Sequence, residues 1–227
     1  MGWLTRGLGS TVGTKLLVAG TGLFLVLFVL GHMLGNLQVF LGPEALNAYA
    51  AKLQGLGGGL WVVRAVLLAI VLVHVTLAVR LQILAWRARP VPYLAKKPLK
   101  STVASRTMIW SGILVLSFIV FHLLHFTVHA THPEYRHLVD AAGRHDVYGM
   151  VVLGFRQAPV ALAYAVAMLL LGFHLLHGIA SIFQTLGWNP PRYRGLFTRL
   201  GQALALLVVV GNVSMPLLIL SGAVGGN

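Results

Sequence analysis

The chain has 227 residues, of which 58% are hydrophobic and only 9% are charged. Because soluble domains carry about 25% charged residues, this composition excludes an ordinary soluble domain and indicates a membrane protein built as one bundle. The chain contains no cysteine, which excludes disulfides and a thiolate-bound iron–sulfur cluster within it.

Five apolar segments follow one another along the chain, at about 16–41, 60–86, 107–130, 157–186 and 200–222. Each can cross a hydrocarbon core about 30 Å thick, which takes roughly 20 helical residues. The first is longer than the hydrophobic part of a signal peptide and no small-residue cleavage site follows it, so we expect it to be a retained span. The sequence therefore predicts an all-α membrane protein with five transmembrane helices in a single domain, 1–227.

The formal net charge is +13, and the charges are unevenly distributed over the connectors. Segments 87–106 and 188–199 carry six and three basic residues and no acid, whereas the other two connectors contain all four acids, Glu44, Glu134, Asp140 and Asp146. The positive-inside rule then places the N-terminus and the basic connectors in the cytoplasm and the C-terminus outside the cell inner membrane. Membrane topology alone is enough to explain this basic face. The more specific hypothesis is that the face also docks a soluble partner.

Histidines occur in four consecutive spans. The first two spans contain His32 and His74, and the next two contain His122, His125, His129, His174 and His177. Ionisable side chains inside spans are expensive and usually functional. A single histidine of this kind can simply form a hydrogen bond between helices, but one in each of four consecutive spans indicates a shared role.

Depth in the membrane sorts these histidines into two pairs when residues are counted inward from the outer end of each span. At a rise of 1.5 Å per residue, His32 and His122 lie about 15 and 14 Å deep, and His74 and His174 both about 22 Å. Their neighbours His125 and His177 lie about 9 and 27 Å deep and fit less well. Two facing histidines at one level of a bundle are the usual axial ligands of haem b, so two levels predict two haems.

Other chemistry fits these spans less well. Zinc needs four close ligands, and a proton relay would use carboxylates, whereas the spans contain no acid and no cysteine. Glycines at positions that would leave room for a flat macrocycle are Gly31, Gly35, Gly112 and Gly178, although ordinary small-residue helix packing explains such glycines equally well.

The chain resembles the di-haem cytochrome b membrane anchor of succinate:quinone oxidoreductases, complex II and the related fumarate reductases, in the form in which one five-helix polypeptide holds both haems. The resemblance covers nearly the whole chain. It lies in the order and spacing of GHMLGNLQVFLGPEALNAYA (31–50), LVHVTLAVRLQ (72–82), WSGILVLSFIVFHLLHFT (110–127) and FHLLHGIASIFQTLG (173–187). It implies that the first four helices form a haem-binding bundle.

The resemblance also implies which fourth-span histidine binds iron. The family's ligand is followed by glycine after four and after thirteen residues, a pattern that His174, Gly178 and Gly187 match and His177 does not. On this basis His174 is expected to be the ligand and His177 a neighbouring packing residue.

The remaining ligands follow from the same resemblance. It pairs His32 with His122 around the outer haem and His74 with His174 around the inner haem. In the third span His125 lies only one turn from His122 and remains the alternative.

The partners that the resemblance implies are a flavoprotein with covalently bound FAD and an iron–sulfur subunit, both on the cytoplasmic side, together with a quinone, usually menaquinone. Electrons from succinate would pass the inner and then the outer haem and reduce the quinone, and this chain would hold no succinate-oxidising site. Some fumarate reductase members carry a glutamate two residues before the fourth-span ligand for proton transfer. Gly172 stands at that position here, which argues against such a pathway.

Polar residues near the span ends are candidates for contacts with the haem propionates and the quinone. Buried carboxylates need cationic partners. The arginines near span ends could supply them, or could merely extend to the lipid headgroups. They are Arg64, Arg80, Arg106 and Arg156. Near the inner haem the quinone candidates are Arg106, Trp110, Ser111 and Trp188. Near the outer haem they are Asn36, Gln38, Glu44, His125 and His129, and we favour this outer site because it has more groups that titrate.

Two alternatives remain open at this stage. One is a haem b subunit of another respiratory oxidoreductase, of the hydrogenase or formate dehydrogenase type. The other is a non-haem transporter or structural membrane protein whose histidines only hold helices together.

Overall fold

The computed structural model describes residues 7, 9–88, 102–188 and 190–226. Most of these residues are helical, and the one extended pairing among them is a bridge between Val139 and His145. Arg6 and most of the predicted basic connector, with Arg89, Lys96, Lys97 and Lys100, lie outside the described residues. The helices are α1 (Thr11–Asn36), α2 (Pro43–Gln54), α3 (Gly58–Arg87), α4 (Val103–Arg106), α5 (Met108–Phe126), α6 (Val147–Arg156), α7 (Ala158–Thr185) and α8 (Arg194–Leu220).

Five helical segments are long and apolar enough to cross a membrane, and they confirm the predicted fold class. They are Thr11–Leu41, Gly58–Arg87, Met108–Phe126, Ala158–Thr185 and Pro191–Leu220. The first includes a 3₁₀ turn, Leu37–Leu41, and the last begins with another, Pro191–Tyr193.

The third span ends earlier than the sequence predicts. Helix α5 stops at Phe126, and the N–H groups of Val128 and Ala130 then bind the carbonyls of Leu123 and Leu124 at 2.7 and 2.8 Å. These bonds satisfy the last carbonyls of the helix in place of further helical turns. His129, which was assigned to the span, therefore lies in the connector that follows it.

The first four spans pack in a ring. Helix α1 packs against α3 and α7, α5 packs against α7, and the contact between α3 and α5 is slight. Helix α8 lies outside this ring and packs mainly against α7, where a methyl group added at Gly172 would collide with Val209. Helix α3 has no buried residue, because α1 is the main neighbour along its length.

The two ends of the bundle differ in charge. One end carries α2, the 127–146 connector and α6, and contains all four acids. We call it the acidic end. The opposite end carries the start of α1, the end of α3, α4 and the residues before α8, and we call it the basic end.

A buried asparagine connects the elements of the acidic end. Asn47 of α2 is 1% exposed, and its side-chain amide donates to Asp146 Oδ1 at 2.9 Å and Asp140 Oδ2 at 3.3 Å. Its Oδ1 accepts from the backbone N–H of Tyr148 at 2.9 Å. Asp146 also caps α6 by accepting from the Gly149 N–H. Asn47 therefore ties α2 to the start of α6.

An ion pair extends this network to the surface. Arg144 donates to Asp140 Oδ2 at 2.8 Å and to Glu44 Oε2 at 2.6 Å. This hydrogen-bonded guanidinium holds the pKa of Glu44 below its usual range. The pair thus contributes stability at neutral pH, which is lost as the pH falls through the lowered pKa, and the contribution is small because the Glu44 side chain is 80% exposed.

We expect Asn47→Ala to lower the free energy of unfolding by about 2–3 kcal/mol, because two carboxylates and one backbone N–H lose a buried partner. Unfolding by SDS in mixed micelles, followed by circular dichroism, measures this change. Lys52→Ala, at an exposed position of the same helix, is the matched control and should change little. Equal stabilities of the two variants would contradict a structural role for the asparagine.

Candidate functional site

Two histidines from α1 and α5 face each other near the acidic end. The ring centroids of His32 and His122 lie 5.8 Å apart, with an angle of 84° between the ring planes. Two imidazole nitrogens that bind one metal ion from opposite sides, each at about 2 Å, place their ring centroids about 6 Å apart. The spacing of this pair therefore fits a single metal ion between the rings.

Aromatic side chains support both rings of this acidic-end pair. Phe28 stacks on His32 with centroids 5.4 Å apart, and Phe118 lies 6.0 Å from His122. The Tyr164 hydroxyl of α7 is 3.3 Å from His122 Nδ1. A hydrogen bond at Nδ1 orients the ring and leaves Nε2 for a metal.

His125 lies behind this pair rather than in it. Its side chain is fully buried, and its Nδ1 is 3.1 Å from the same Tyr164 hydroxyl. Its ring packs on Phe126 with centroids 3.9 Å apart and lies 5.1 Å from His132, in the connector after α5. Of the two third-span histidines, His122 is therefore the one whose ring contacts His32.

Two further histidines, His74 of α3 and His174 of α7, lie toward the basic end, and a hydroxyl of a neighbouring helix contacts each of them. We call them the basic-end pair. His74 Nδ1 is 3.0 Å from Thr21 Oγ1 of α1, and His174 Nδ1 is 3.2 Å from Ser111 Oγ of α5. Each hydroxyl also lies within 3.0 Å of a carbonyl three or four residues earlier in its own helix. The hydroxyl therefore donates to that carbonyl and accepts from the imidazole Nδ1–H, so that Nε2 keeps its lone pair.

Glycine follows both of these hydroxyl residues. A Cβ atom at Gly22 would lie 3.2 Å from His74 Cε1, and one at Gly112 would lie 3.3 Å from His174 Cε1. A larger residue at either position would push the ring aside. The sequences Thr21-Gly22 and Ser111-Gly112 thus form the same arrangement twice, with a hydroxyl to orient the imidazole and a glycine to admit it.

Of the other glycines predicted to leave room for a macrocycle, none lies against a histidine of either pair. A Cβ atom at Gly178 would meet the Met108 methyl group at 3.7 Å, and one at Gly35 would overlap the ring of Tyr49. Gly31 faces open space. Gly35 is therefore a helix-packing residue.

The fourth-span histidines differ in their surroundings. His174 has the hydroxyl and the glycine described above, whereas no hydrogen bond or ring contact among the described residues involves His177. His174 and His177 thus differ in what the neighbouring helices place beside them.

Protein side chains leave the four paired histidines accessible. His32 is exposed, and His74, His122 and His174 are half-buried, although all four lie well inside their spans. A large planar group therefore has access to both pairs.

The four arginines predicted near propionates have different surroundings. Arg80 donates to the Gly9 carbonyl at 3.0 Å, and Arg156 donates to the Gly225 carbonyl. Arg106 is the last residue of α4 at the basic end. Arg64 lies over the Trp61 ring, with its central guanidinium carbon 4.9 Å from the ring centroid.

The quinone candidates of the acidic end are not brought together as one group. Glu44 pairs with Arg144, Asn36 donates to the His32 carbonyl at 2.8 Å, and Gln38 lies in the 3₁₀ turn after α1. His129 and His125 belong instead to a cluster of rings in the connector after α5, in which burial and the nearby His145 lower the pKa of His129.

At the basic end, Ser111 is buried against His174, whereas Trp110 and Trp188 are 64% and 56% exposed. Sequence reasoning missed Thr21, Gly22 and Tyr164. A repeated hydroxyl-glycine dipeptide and a tyrosine inside an apolar span were the available signals.

The chain matches no family model, no curated protein and no solved structure. Within the described part of the chain, no three or more histidine or acidic side chains are arranged to hold a metal ion.

Proposed function

We propose that the chain is the membrane anchor and di-haem b electron-transfer subunit of a succinate dehydrogenase, a succinate:quinone oxidoreductase. The observation that carries this proposal is the arrangement of four intramembrane histidines as two pairs on four neighbouring helices. The acidic-end rings are 5.8 Å apart, and the basic-end rings are each oriented by a hydroxyl from an adjacent helix.

The residues present fit haem b. His32 and His122 would hold one haem, and His74 and His174 the other, each through Nε2. The apolar spans contain no carboxylate that would favour a different metal. Bound haem would supply one-electron transfer across the membrane, between an iron–sulfur partner and a quinone.

The chain's own residues set the conditions for that chemistry. Thr21 and Ser111 accept the Nδ1 protons of His74 and His174. The Tyr164 hydroxyl lies 3.3 Å from His122 Nδ1 and shares a hydrogen bond with it. Such partners fix ring orientation and raise the basicity of the ligand, which tunes the reduction potential.

The charge distribution supports the proposed partners. In this proposal the chain lies in the cell inner membrane, with its basic end in the cytoplasm. That end would dock an iron–sulfur subunit and a flavoprotein with FAD. The quinone, menaquinone in this proposal, would react at the acidic end, beyond the second haem.

Purification of the intact complex tests the proposal. We expect two haems b and one covalently bound flavin per copy of this chain, measured by pyridine haemochrome and flavin fluorescence after denaturation. A chain without haem would instead be a transporter or structural protein. Haem without flavin, together with a hydrogenase or formate dehydrogenase partner, would identify a different oxidoreductase.

Ser111→Ala should raise the midpoint potential of the basic-end haem by about 30–60 mV, where about 59 mV is a tenfold change for one electron. The reason is that His174 Nδ1–H would lose its acceptor and the imidazole would donate less electron density to the iron. Potentiometric titration of the complex measures the shift. Ser117→Ala, which removes a hydroxyl bound only to its own helix, should leave both potentials unchanged, and identical titrations of the two variants would exclude the role given to Ser111.

A further inference from the structure

A cavity of about 540 Å³ lies at the acidic end, between the end of α2, the first turns of α3 and the residues that follow α5. Its apolar lining residues include Leu60, Phe126, Val147 and Met150. Its polar lining residues include Gln54, Arg64, Thr127, His129 and His145. The lining is thus amphipathic and includes one arginine.

The lining contains no acidic residue. Both ion pairs among the described residues belong to Arg144, so that no carboxylate of the described chain neutralises Arg64. Helix α3 begins at Gly58 on the rim of the same cavity, and its first turn adds partial positive charge. The electrostatic field in the cavity therefore favours an anion.

His129 adds an unsatisfied polar group to the lining. Its Nε2 is buried and has no hydrogen-bond partner among the described residues. Its backbone φ is 55°, which is uncommon for a residue other than glycine, and such conformations cluster at functional sites. The turn after α5 holds the imidazole at the cavity, 5.8 Å from the ring of His145.

We propose that this cavity binds the anionic group of an amphiphile, a carboxylate or a phosphate, whose apolar part contacts the apolar lining residues. The anion would accept charge-assisted hydrogen bonds from Arg64. An anion beside His129 would also favour the protonated imidazole, whose Nε2–H would donate to it.

Two sources offer this chemistry. The first is a propionate of the haem proposed for His32 and His122, because Phe126 lines the cavity and its ring lies 6.1 Å from that of His122. This source rests on the proposed function. The second is the phosphate of a phospholipid, because Trp61 on the rim is 68% exposed and aromatic residues at span ends favour the membrane interface.

Arg64→Gln in the intact complex tests the proposal, with the complex in nanodiscs of phosphatidylcholine with or without phosphatidylglycerol. Lys52→Gln makes the same charge change at an exposed position of the same end, outside the cavity. Arg64→Lys keeps the charge and should behave like the wild type. The readouts are the midpoint potentials of both haems and the phosphatidylglycerol retained, measured by native mass spectrometry.

If the anion is a propionate, Arg64→Gln lowers the potential of the acidic-end haem in both membranes, since a carboxylate without its cation favours ferric iron. If it is a phospholipid, the same variant binds phosphatidylglycerol at least tenfold more weakly and both potentials stay unchanged. Should Arg64→Gln match Lys52→Gln in both readouts, the cavity is not an anion site. A preparation without haem would refute the proposed function, and lipid retention alone would then decide this proposal.

Discussion

Replacing His174 by alanine is expected to remove one haem, so that the haem b content falls from about two to about one per polypeptide. His174 is the fourth-span histidine whose Nδ1 is held by Ser111 and whose ring lies against Gly112. Without its imidazole, the iron at the basic end keeps a single protein ligand, His74. The pyridine haemochrome assay of the purified complex, normalised to protein, measures the loss.

His177→Ala is the matched control, one helical turn away in the same apolar span. It removes an imidazole that no hydrogen bond or ring contact of the described residues holds, so both haems should remain. Loss of haem from His177→Ala, with His174→Ala unaffected, would show that the oriented histidine is not the ligand. Equal losses would show that the segment tolerates neither change.

The second large effect is expected at the acidic end. His122→Ala should remove the other haem, because His122 is the third-span histidine whose ring lies 5.8 Å from that of His32. The basic-end haem should remain, since its ligands and their hydroxyl partners lie on other turns. Low-temperature reduced-minus-oxidised spectra, which resolve haems of different environment, distinguish this loss from that in His174→Ala.

His125→Gln is the comparison for this experiment. The glutamine keeps a polar group near the Tyr164 hydroxyl, which His125 Nδ1 approaches to 3.1 Å, and avoids an empty space at a fully buried position. We expect this variant to retain both haems. The reverse result, with haem lost from His125→Gln and kept in His122→Ala, would identify His125 as the ligand. The ring contact between His122 and His32 would then not mark a haem site.

The number and order of the spans could be predicted because crossing a membrane imposes a length and an apolar composition that one segment shows by itself. The pairing of histidines by depth rests on an equally local property, the constant rise of a helix. In contrast, the contacts of Thr21 and Tyr164 with the histidines could not be predicted, because the rotation of each helix about its axis depends on packing against its neighbours. Helix α5 ends where the backbone N–H groups of Val128 and Ala130 bind its last carbonyls. A hydropathy profile does not show such hydrogen bonds.

The acidic end shows a further limit of sequence reasoning. Glu44 was expected beside a quinone because the outer end of the bundle has more groups that titrate. Its partner Arg144 is 100 positions away, and the buried Asn47 bonds to residues equally distant along the chain. No local pattern reveals such pairs, and composition alone gives no sign that these acids hold the connectors together.

The ring of helices has a consequence for how the protein is made. The first two spans carry His32 and His74, and the next two carry His122 and His174, so each helical hairpin brings one ligand of each pair. When only the first hairpin of a ribosome-bound chain has been inserted, each histidine pair has one of its two members. If the proposed function is correct, cofactor binding would wait until the fourth span has entered the bilayer. Each haem would then link the two hairpins, between which α3 and α5 make only a slight contact.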